Sequence, residues 1–228
     1  MPELRVLTYN VRSMRDDRAA LGRVIRSAEP DVVLVQESPR FARWRSLCAQ
    51  LARLGNLVVV GGGRYAGSNL ILSSLSVDVV STADVLFSRE PGLHKRGTAI
   101  AVLTKQDARF AVAGTHLDLR SEPRLRHIAE LEAAIAAHVP PEVPTIVAGD
   151  VNDTPGSAVW HALTVARKDA FATAGQGSAF TSPARDPHKT IDGLFVDPRI
   201  TVRSAQVVDT PDVPAASDHR PVLAVLDL

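Results

Sequence analysis

Short apolar runs that end abruptly in polar residues dominate this 228-residue chain. The run Val143-Pro144-Thr145-Ile146-Val147-Ala148 has the length and β-branched content of a buried strand, and Gly149-Asp150-Val151-Asn152-Asp153 follows it directly. A strand buried on both faces delivers its last side chains to the sheet rim, where open α/β sheets bind ligands. Asp150 and Asn152 are two residues apart, so extended backbone points both to one side. The competing reading is an Asx turn, in which Asp and Asn bond their own backbone while Pro155-Gly156 breaks the chain. Repetition of the pattern at other strand ends favours a site.

Leu4–Tyr9 reads as a strand ending in Asn10, and Asp31–Gln36 as a strand buried on both faces that delivers Glu37. Between them Leu21, Val24, Ile25 and Ala28 form a helical stripe, capped by Asp16 or Asp17. A second helix is expected over Phe41–Leu54, with Phe41, Trp44, Leu47, Cys48, Leu51 and Leu54 on one face. The segments Asn69–Leu72, Ser76–Leu86, Thr98–Thr104 and Arg109–Leu117 follow without helices between them, which favours antiparallel pairing. The basic turn His94-Lys95-Arg96-Gly97 precedes the third of these, and His116 and Asp118 end the fourth. Ser121 is placed to cap a helix whose face carries Leu125, Ile128, Leu131, Ile135 and Val139. Beyond a short helix over Ser157–Ala166, strands are expected at Thr190–Val196, Ile200–Asp209 and Val222–Leu226. The Pro-rich Pro211–Ala216 reads as loop. Asp192 stands inside an apolar strand, where a carboxylate requires a partner, and Asp218-His219 introduces the last strand.

Length suits one large α/β domain over residues 1–228, with no repeat or linker to divide it. The 45% hydrophobic content supports a sizeable core, and the net charge of +1 carries no overall basic footprint for nucleic acid. The lone Cys48 excludes internal disulfides and reads as core filler. No run approaches the ~20 apolar residues of a membrane span, and no signal peptide opens the chain, so a cytoplasmic protein without an integral membrane segment is expected. No protein partner is implied.

Collected, the polar residues at strand ends are Asn10, Glu37, His116, Asp118, Asp150, Asn152, Asp192, Asp218 and His219. Glu37, Asp218 and Asn10 offer hard oxygen ligands, which suit Mg²⁺ or Mn²⁺. The two histidines, each with Asp to orient it, suit proton transfer and oxyanion stabilisation. The strand and helix pattern by itself leaves a single doubly wound sheet open as an architecture.

The chain also resembles the endonuclease/exonuclease/phosphatase superfamily of metal-dependent phosphoesterases. The resemblance is carried, in order, by Thr8-Tyr9-Asn10-Val11-Arg12, Gln36-Glu37, Lys95-Arg96-Gly97-Thr98-Ala99-Ile100, Thr115-His116-Leu117-Asp118, Gly149-Asp150-Val151-Asn152, Ile191-Asp192 and Ser217-Asp218-His219-Arg220-Pro221-Val222. It implies a four-layer αββα sandwich of two mixed β-sheets flanked by helices, with a site at one rim where both sheets meet. It implies Glu37 as main metal ligand, supported by Asn10 and Asp218. His219, oriented by Asp192, is implied as general base or phosphate-polarising imidazole, with Asp150 the rival for activating water. Asn152 and His116 would donate to the reacting phosphate, Asp118 would orient nearby groups, and Arg96 and Arg124 would bind substrate. Arg12 departs from the acidic residue that several nuclease members carry there, which argues against a second metal ligand on that strand. The activity expected is Mg²⁺-dependent phosphodiester hydrolysis of nucleic acid. A phospholipid head-group or inositol-phosphate hydrolase and a non-catalytic binding module on the same fold are the alternatives.

Overall fold

The structure, a computed structural model, describes residues 2–89 and 91–228. Among the described residues the strands form two mixed sheets. One contains β1 (Glu3–Asn10), β2 (Val32–Gln36), β3 (Val58–Gly63), β4 (Asn69–Ser73), β10 (Gly175–Gln176), β12 (Thr201–Val207) and β13 (Val222–Asp227). Its strand order is β10-β12-β13-β1-β2-β4-β3. The other contains β5 (Asp78–Leu86), β6 (Gly97–Lys105), β7 (Ala108–His116), β8 (Thr145–Asp150), β9 (Lys168–Asp169) and β11 (Asp192–Val196), in the order β5-β6-β7-β8-β11-β9. The helices are α1 (Arg18–Ser27), α2 (Trp44–Leu54), α3 (Ser121–His138), α4 (Ala158–Thr164), α5 (Ala170–Ala174) and α6 (Val213–Ala216).

Alternation along each strand explains the layering. Leu4, Val6, Val32 and Leu34 point inward and meet Ala99, Ala101, Val112, Ile146 and Ala148 of the facing sheet. Their sequence neighbours Leu7, Tyr9, Val33 and Val35 point outward, onto Leu21, Val24 and Ile25 of α1 and Cys48 and Leu51 of α2. On the far side Ile100, Val102, Ala111, Ala113 and Val147 pack under Ile128, Leu131 and Ile135 of α3 and Trp160 and Leu163 of α4. Strands covered on both faces must be apolar throughout, which is why these runs do not alternate in the sequence. The result is the expected four-layer sandwich of two mixed sheets between helices.

Local chemistry sets the helix ends. Asp17 starts α1 by accepting from the Ala19 and Ala20 N–H groups at 2.8 and 3.0 Å. Helix α2 begins at Trp44 and not at Phe41, because Arg43 takes a left-handed conformation (φ 60°) that breaks the helical path. Phe41 therefore leaves the α2 face and stands exposed. Helix α3 begins at Ser121 itself, with Arg120 extended before it and no side-chain cap. Its buried face runs through Arg124, His127, Ile128 and Leu131, which turns Leu125 out to solvent. Val213–Ala216, expected as loop, forms the short helix α6. No helix among the described residues is long and apolar enough to cross a membrane.

Cys48 occupies the α2 core as expected, its thiol 3.7 Å from the Pro39 carbonyl, and burial pushes its pKa up to about 11. A thiol reagent should therefore label Cys48 only through unfolding. The labelling rate across graded denaturant is expected to track the unfolded fraction, whereas prompt labelling of the native protein would contradict this packing.

Candidate active site

Strand register assembles the site. The parallel pair β7–β8 sets His116 beside Asp150, and the antiparallel pair β8–β11 sets Asp150 beside Asp192. Gly149 permits this approach, since a Cβ there would lie 1.8 Å from the Thr115 carbonyl oxygen. On the other sheet the parallel pair β1–β2 places Asn10 beside Gln36, and the chain then turns at Glu37 in a left-handed conformation (φ 52°). Asn152 makes the corresponding turn after β8 (φ 53°). The two sheets meet where the Asn10 amide donates to Asp150 Oδ2 at 3.0 Å and lies 3.4 Å from Glu37 Oε1.

His219 joins from the loop before β13, and its Nδ1–H donates to Asp192 Oδ2 at 2.9 Å. Its other ring nitrogen lies 3.8 Å from Asp150 Oδ2. The Asp192–His219 pairing expected from the sequence is thus present in the geometry. Asp192 is further fixed through its backbone N–H, which donates to Thr181 Oγ1. His116 Nε2 lies 3.4 Å from Asp150 Oδ2, and the Asn152 backbone N–H donates to Asp150 Oδ1 at 3.1 Å. The Asn152 side chain is tied to the Leu117 carbonyl at 3.0 Å.

Burial drives the titration of these groups. Burial opposes a charge on His219, yet Asp192, followed by Asp150 and Asp218, carries its pKa up to about 10. Asp150 is raised well above the usual carboxylate range, by burial first and by the Asp192 charge second. His116 is held well below its ordinary value by burial, and then by the charges of Arg96, His219, Arg40 and His94. These directions favour a proton on His219, a neutral imidazole at His116 and an Asp150 carboxyl that holds a proton more readily than an ordinary carboxylate.

A cavity of about 320 Å³ opens over these groups. Glu37, His116, Asp150, Asn152 and His219 line it, together with Arg40, Phe41, His94 and Arg96. The sequence reading missed two of these. Arg40 lies just past the Pro39 that ends the Glu37 rim, and Phe41 had been assigned to the α2 face.

Several expected ligands and binders sit elsewhere or are already engaged. Asn10 turns its N–H₂ toward the carboxylates, while its oxygen accepts from the Arg12 backbone N–H. In this arrangement Asn10 orients Asp150 and Glu37 and does not present an oxygen to a metal. Asp218 is exposed and faces Arg12 Nε at 3.3 Å. Asp118 does not line the cavity; it is buried behind Arg96, 3.8 Å from its Nε. Arg124 does not reach substrate space either. Its guanidinium donates to the Asp118 and Leu119 carbonyls and to Asp153 Oδ2 at 2.8 Å, so it organises the loop.

The donor set fits a hard divalent cation, because Glu37 faces the cavity with, among the described residues, the Asn10 amide alone donating to it, at a long 3.4 Å. Asp150, Asp192 and His219 also form a buried group that could hold a metal ion. There, however, the ring proton of His219 already occupies the space between imidazole and carboxylate.

With this geometry in hand, the sequence matches the Endonuclease/Exonuclease/phosphatase family over residues 7–219. The chain belongs to that family. Members are hydrolases of phosphoesters and typically use divalent metals. Its fold is similar to that of an endonuclease/exonuclease/phosphatase from Bacteroides vulgatus, with TM-score 0.83, 24% identity and full coverage of both chains. It is also similar to the mannosyl-6-phosphatase of Bacteroides thetaiotaomicron, with TM-score 0.84, 16% identity, 99% of this chain and 100% of that one. TDP2 of D. rerio, solved with a single-strand DNA product, matches at TM-score 0.75 and 17% identity over the whole of both chains. No curated protein sequence matches the chain.

Arg124→Ala should lower stability by about 1–3 kcal/mol, since two carbonyls and the Asp153 carboxylate lose their donor. Arg124→Lys should recover only part, because one ammonium cannot replace the planar fork. Denaturant unfolding of both variants checks this, and an unchanged midpoint in Arg124→Ala would contradict the assignment.

Proposed function

We propose that the chain is a metal-dependent phosphodiesterase that cleaves nucleic acid. The observation that carries the reading is the buried Asp192–His219 pair converging with His116 on Asp150, across a small cavity from Glu37. Glu37 would hold a hard divalent cation, Mg²⁺ or Mn²⁺, with the Asn10 amide orienting its carboxylate. When bound, that cation supplies charge neutralisation for the phosphoryl oxygens and the leaving oxygen. Asp150, with its raised pKa, takes the proton of the attacking water. His219 stays protonated through Asp192 and donates from its second nitrogen to a phosphoryl oxygen. Of the two roles expected for His219, phosphate polarisation thus has the better support and general base the weaker. Neutral His116 steadies Asp150, and Asn152 is held at the cavity wall to donate to the phosphate.

The likeness to TDP2 with its DNA product supports a nucleic-acid strand as substrate. A second reading, hydrolysis of a small phosphorylated sugar, is favoured by the modest cavity volume and by the likeness to the mannosyl-6-phosphatase. A substrate panel of single-stranded oligonucleotides and sugar phosphates separates the two. Cleavage confined to sugar phosphates would overturn the nuclease reading.

Two predictions test the assigned roles. Glu37→Gln keeps the side-chain shape and removes its charge, so calorimetric Mn²⁺ affinity should fall by roughly one to two orders of magnitude with folding retained. Unchanged Mn²⁺ binding would remove Glu37 from the ligand set. His219→Ala and Asp192→Ala should each lower kcat/KM by about 10²–10⁴-fold. Because the pair acts as one unit, the double variant should be little worse than the more damaging single one. Additive losses would show that the two groups act separately.

A further inference from the structure

Apart from Glu37, the groups assigned to the reaction sit toward one end of the cavity. His116, Asp150 and Asp192 lie at ends of the neighbouring strands β7, β8 and β11, and His219 precedes β13 of the facing sheet. The other end lies over β2, β4 and β6, where the cavity is lined by Arg40, Ser68, His94 and Arg96. Arg15 joins them on the wall. The lining thus holds three arginines against two carboxylates, Glu37 and Asp150.

This positive excess is built into the structure. Arg96 is only 8% exposed, lines the cavity, and leaves its Nε without a hydrogen-bond partner among the described residues. Its carboxylate neighbour Asp118 is 3.8 Å away, beyond hydrogen-bond reach. Arg40 is half-buried, donates from Nη2 to His94 Nδ1 at 3.2 Å, and stacks over the Phe41 ring at 5.2 Å. Arg40 and Arg96 both line this cavity. A buried cation with unsatisfied donors is expensive to maintain unless an anion completes it. One scissile phosphate, held by the Glu37 cation and His219, leaves the Arg96 Nε still without an acceptor, since Asp118 balances its charge at 3.8 Å without a hydrogen bond. Phe41 and Leu119 add exposed apolar side chains at the same cavity, suited to the organic part of a ligand.

We propose that Arg40, His94 and Arg96 form a second anion subsite, and that the substrate carries a further phosphate next to the scissile one. The inference rests on the hydrolytic reading for the reaction itself, and names the substrate class it acts on. The source of that phosphate is either the adjacent position of a nucleic-acid strand or a small bisphosphate.

The test begins with binding and uses the full chain without divalent metal. Calorimetry with inorganic pyrophosphate and inorganic phosphate is expected to show pyrophosphate bound about tenfold more tightly or better. Arg40→Gln should erase most of that preference and Arg40→Lys should keep part of it, while Arg203→Gln on β12 serves as a distant charge control. Equal affinity for the two anions, or an Arg40→Gln affinity within about twofold of wild type, would overturn the subsite. The second arm compares hydrolysis of a dinucleotide with and without a 5′-phosphate, and of a sugar bisphosphate against its monophosphate. The pair that shows a roughly tenfold kcat/KM advantage for the doubly phosphorylated member identifies the source, and Arg40→Gln should collapse that advantage. Hydrolysis without discrimination in either pair overturns the subsite and leaves the hydrolase reading standing. Arg40-dependent pyrophosphate binding with no hydrolysis of any phosphoester does the reverse.

Discussion

The carboxylate of Asp150 is the constraint on which the site end of the sandwich depends. It is 2% exposed, and an unpartnered charge at such depth costs several kcal/mol. Its partners come from separate parts of the chain: the Asn10 amide on β1, the Asn152 backbone N–H after β8, His116 at the end of β7 and His219 before β13. Asn10 and His219 belong to the other sheet, so both cross between sheets to reach it. The Asn69 amide adds another polar tie, to the Gly97 carbonyl at 2.9 Å, and the packing of Leu, Val and Ala between the sheets is non-directional, fixing their separation but tolerating sliding. A hydrogen bond at 3.0 Å does not tolerate it, so the polar rim sets the relative position of the sheets at the place where chemistry needs it.

The same rim carries backbone conformations that non-glycine residues rarely adopt. Glu37, Ser68 and Asn152 all have positive φ. A left-handed non-glycine residue costs about 1–2 kcal/mol, with Asn more tolerant than Glu. Glu37 is offset locally, because its carbonyl accepts from the Ser13 N–H at 2.8 Å and the next N–H, of Ser38, donates to the Ser68 carbonyl at 2.9 Å. The turn is what aims the Glu37 carboxylate across the strand ends; a continued extended strand would carry the chain past the cavity. Strain and function coincide at the residues where the sequence changes from apolar to polar.

This coincidence explains what was legible in the sequence. Strands covered on both faces announce themselves as unbroken apolar runs, so Val32–Gln36 and Thr145–Asp150 were readable together with the polar residues that end them. Asp192 was readable because a carboxylate in such a run demands a partner, and His219 is that partner. The helix over Phe41–Leu54 was read too long, since spacing records periodicity and is blind to the left-handed Arg43 that stops it. Arg124 showed its charge in the sequence but not its three acceptors, so a loop-organising residue was read as a substrate binder. The Asn10–Asp150 bond joins residues 140 positions apart and leaves no local trace. The two-residue strands β9 and β10 are too short to carry any period.

The division of labour among the carboxylates follows from how many donors each already has. Asp150 accepts from Asn10 and Asn152, and Asp192 accepts from the His219 ring. Asp218 shares its charge with Arg12, which also pairs with Asp16 at 3.3 Å, and helps to hold the proton on His219. At this exposure the Arg12–Asp218 pair adds at most about 1 kcal/mol of stability, so its consequence is electrostatic and not structural. It places a fixed cation on the strand end where an acidic side chain would invite a second metal, and it leaves Asp218 a weaker claim on the first. Among the described residues Glu37 accepts a side-chain hydrogen bond from the Asn10 amide alone, at a marginal 3.4 Å. In the proposed reaction the cation therefore belongs beside Glu37 and the mobile proton beside Asp150. That asymmetry is set by N–H donors that the fold has already assigned, before any substrate enters.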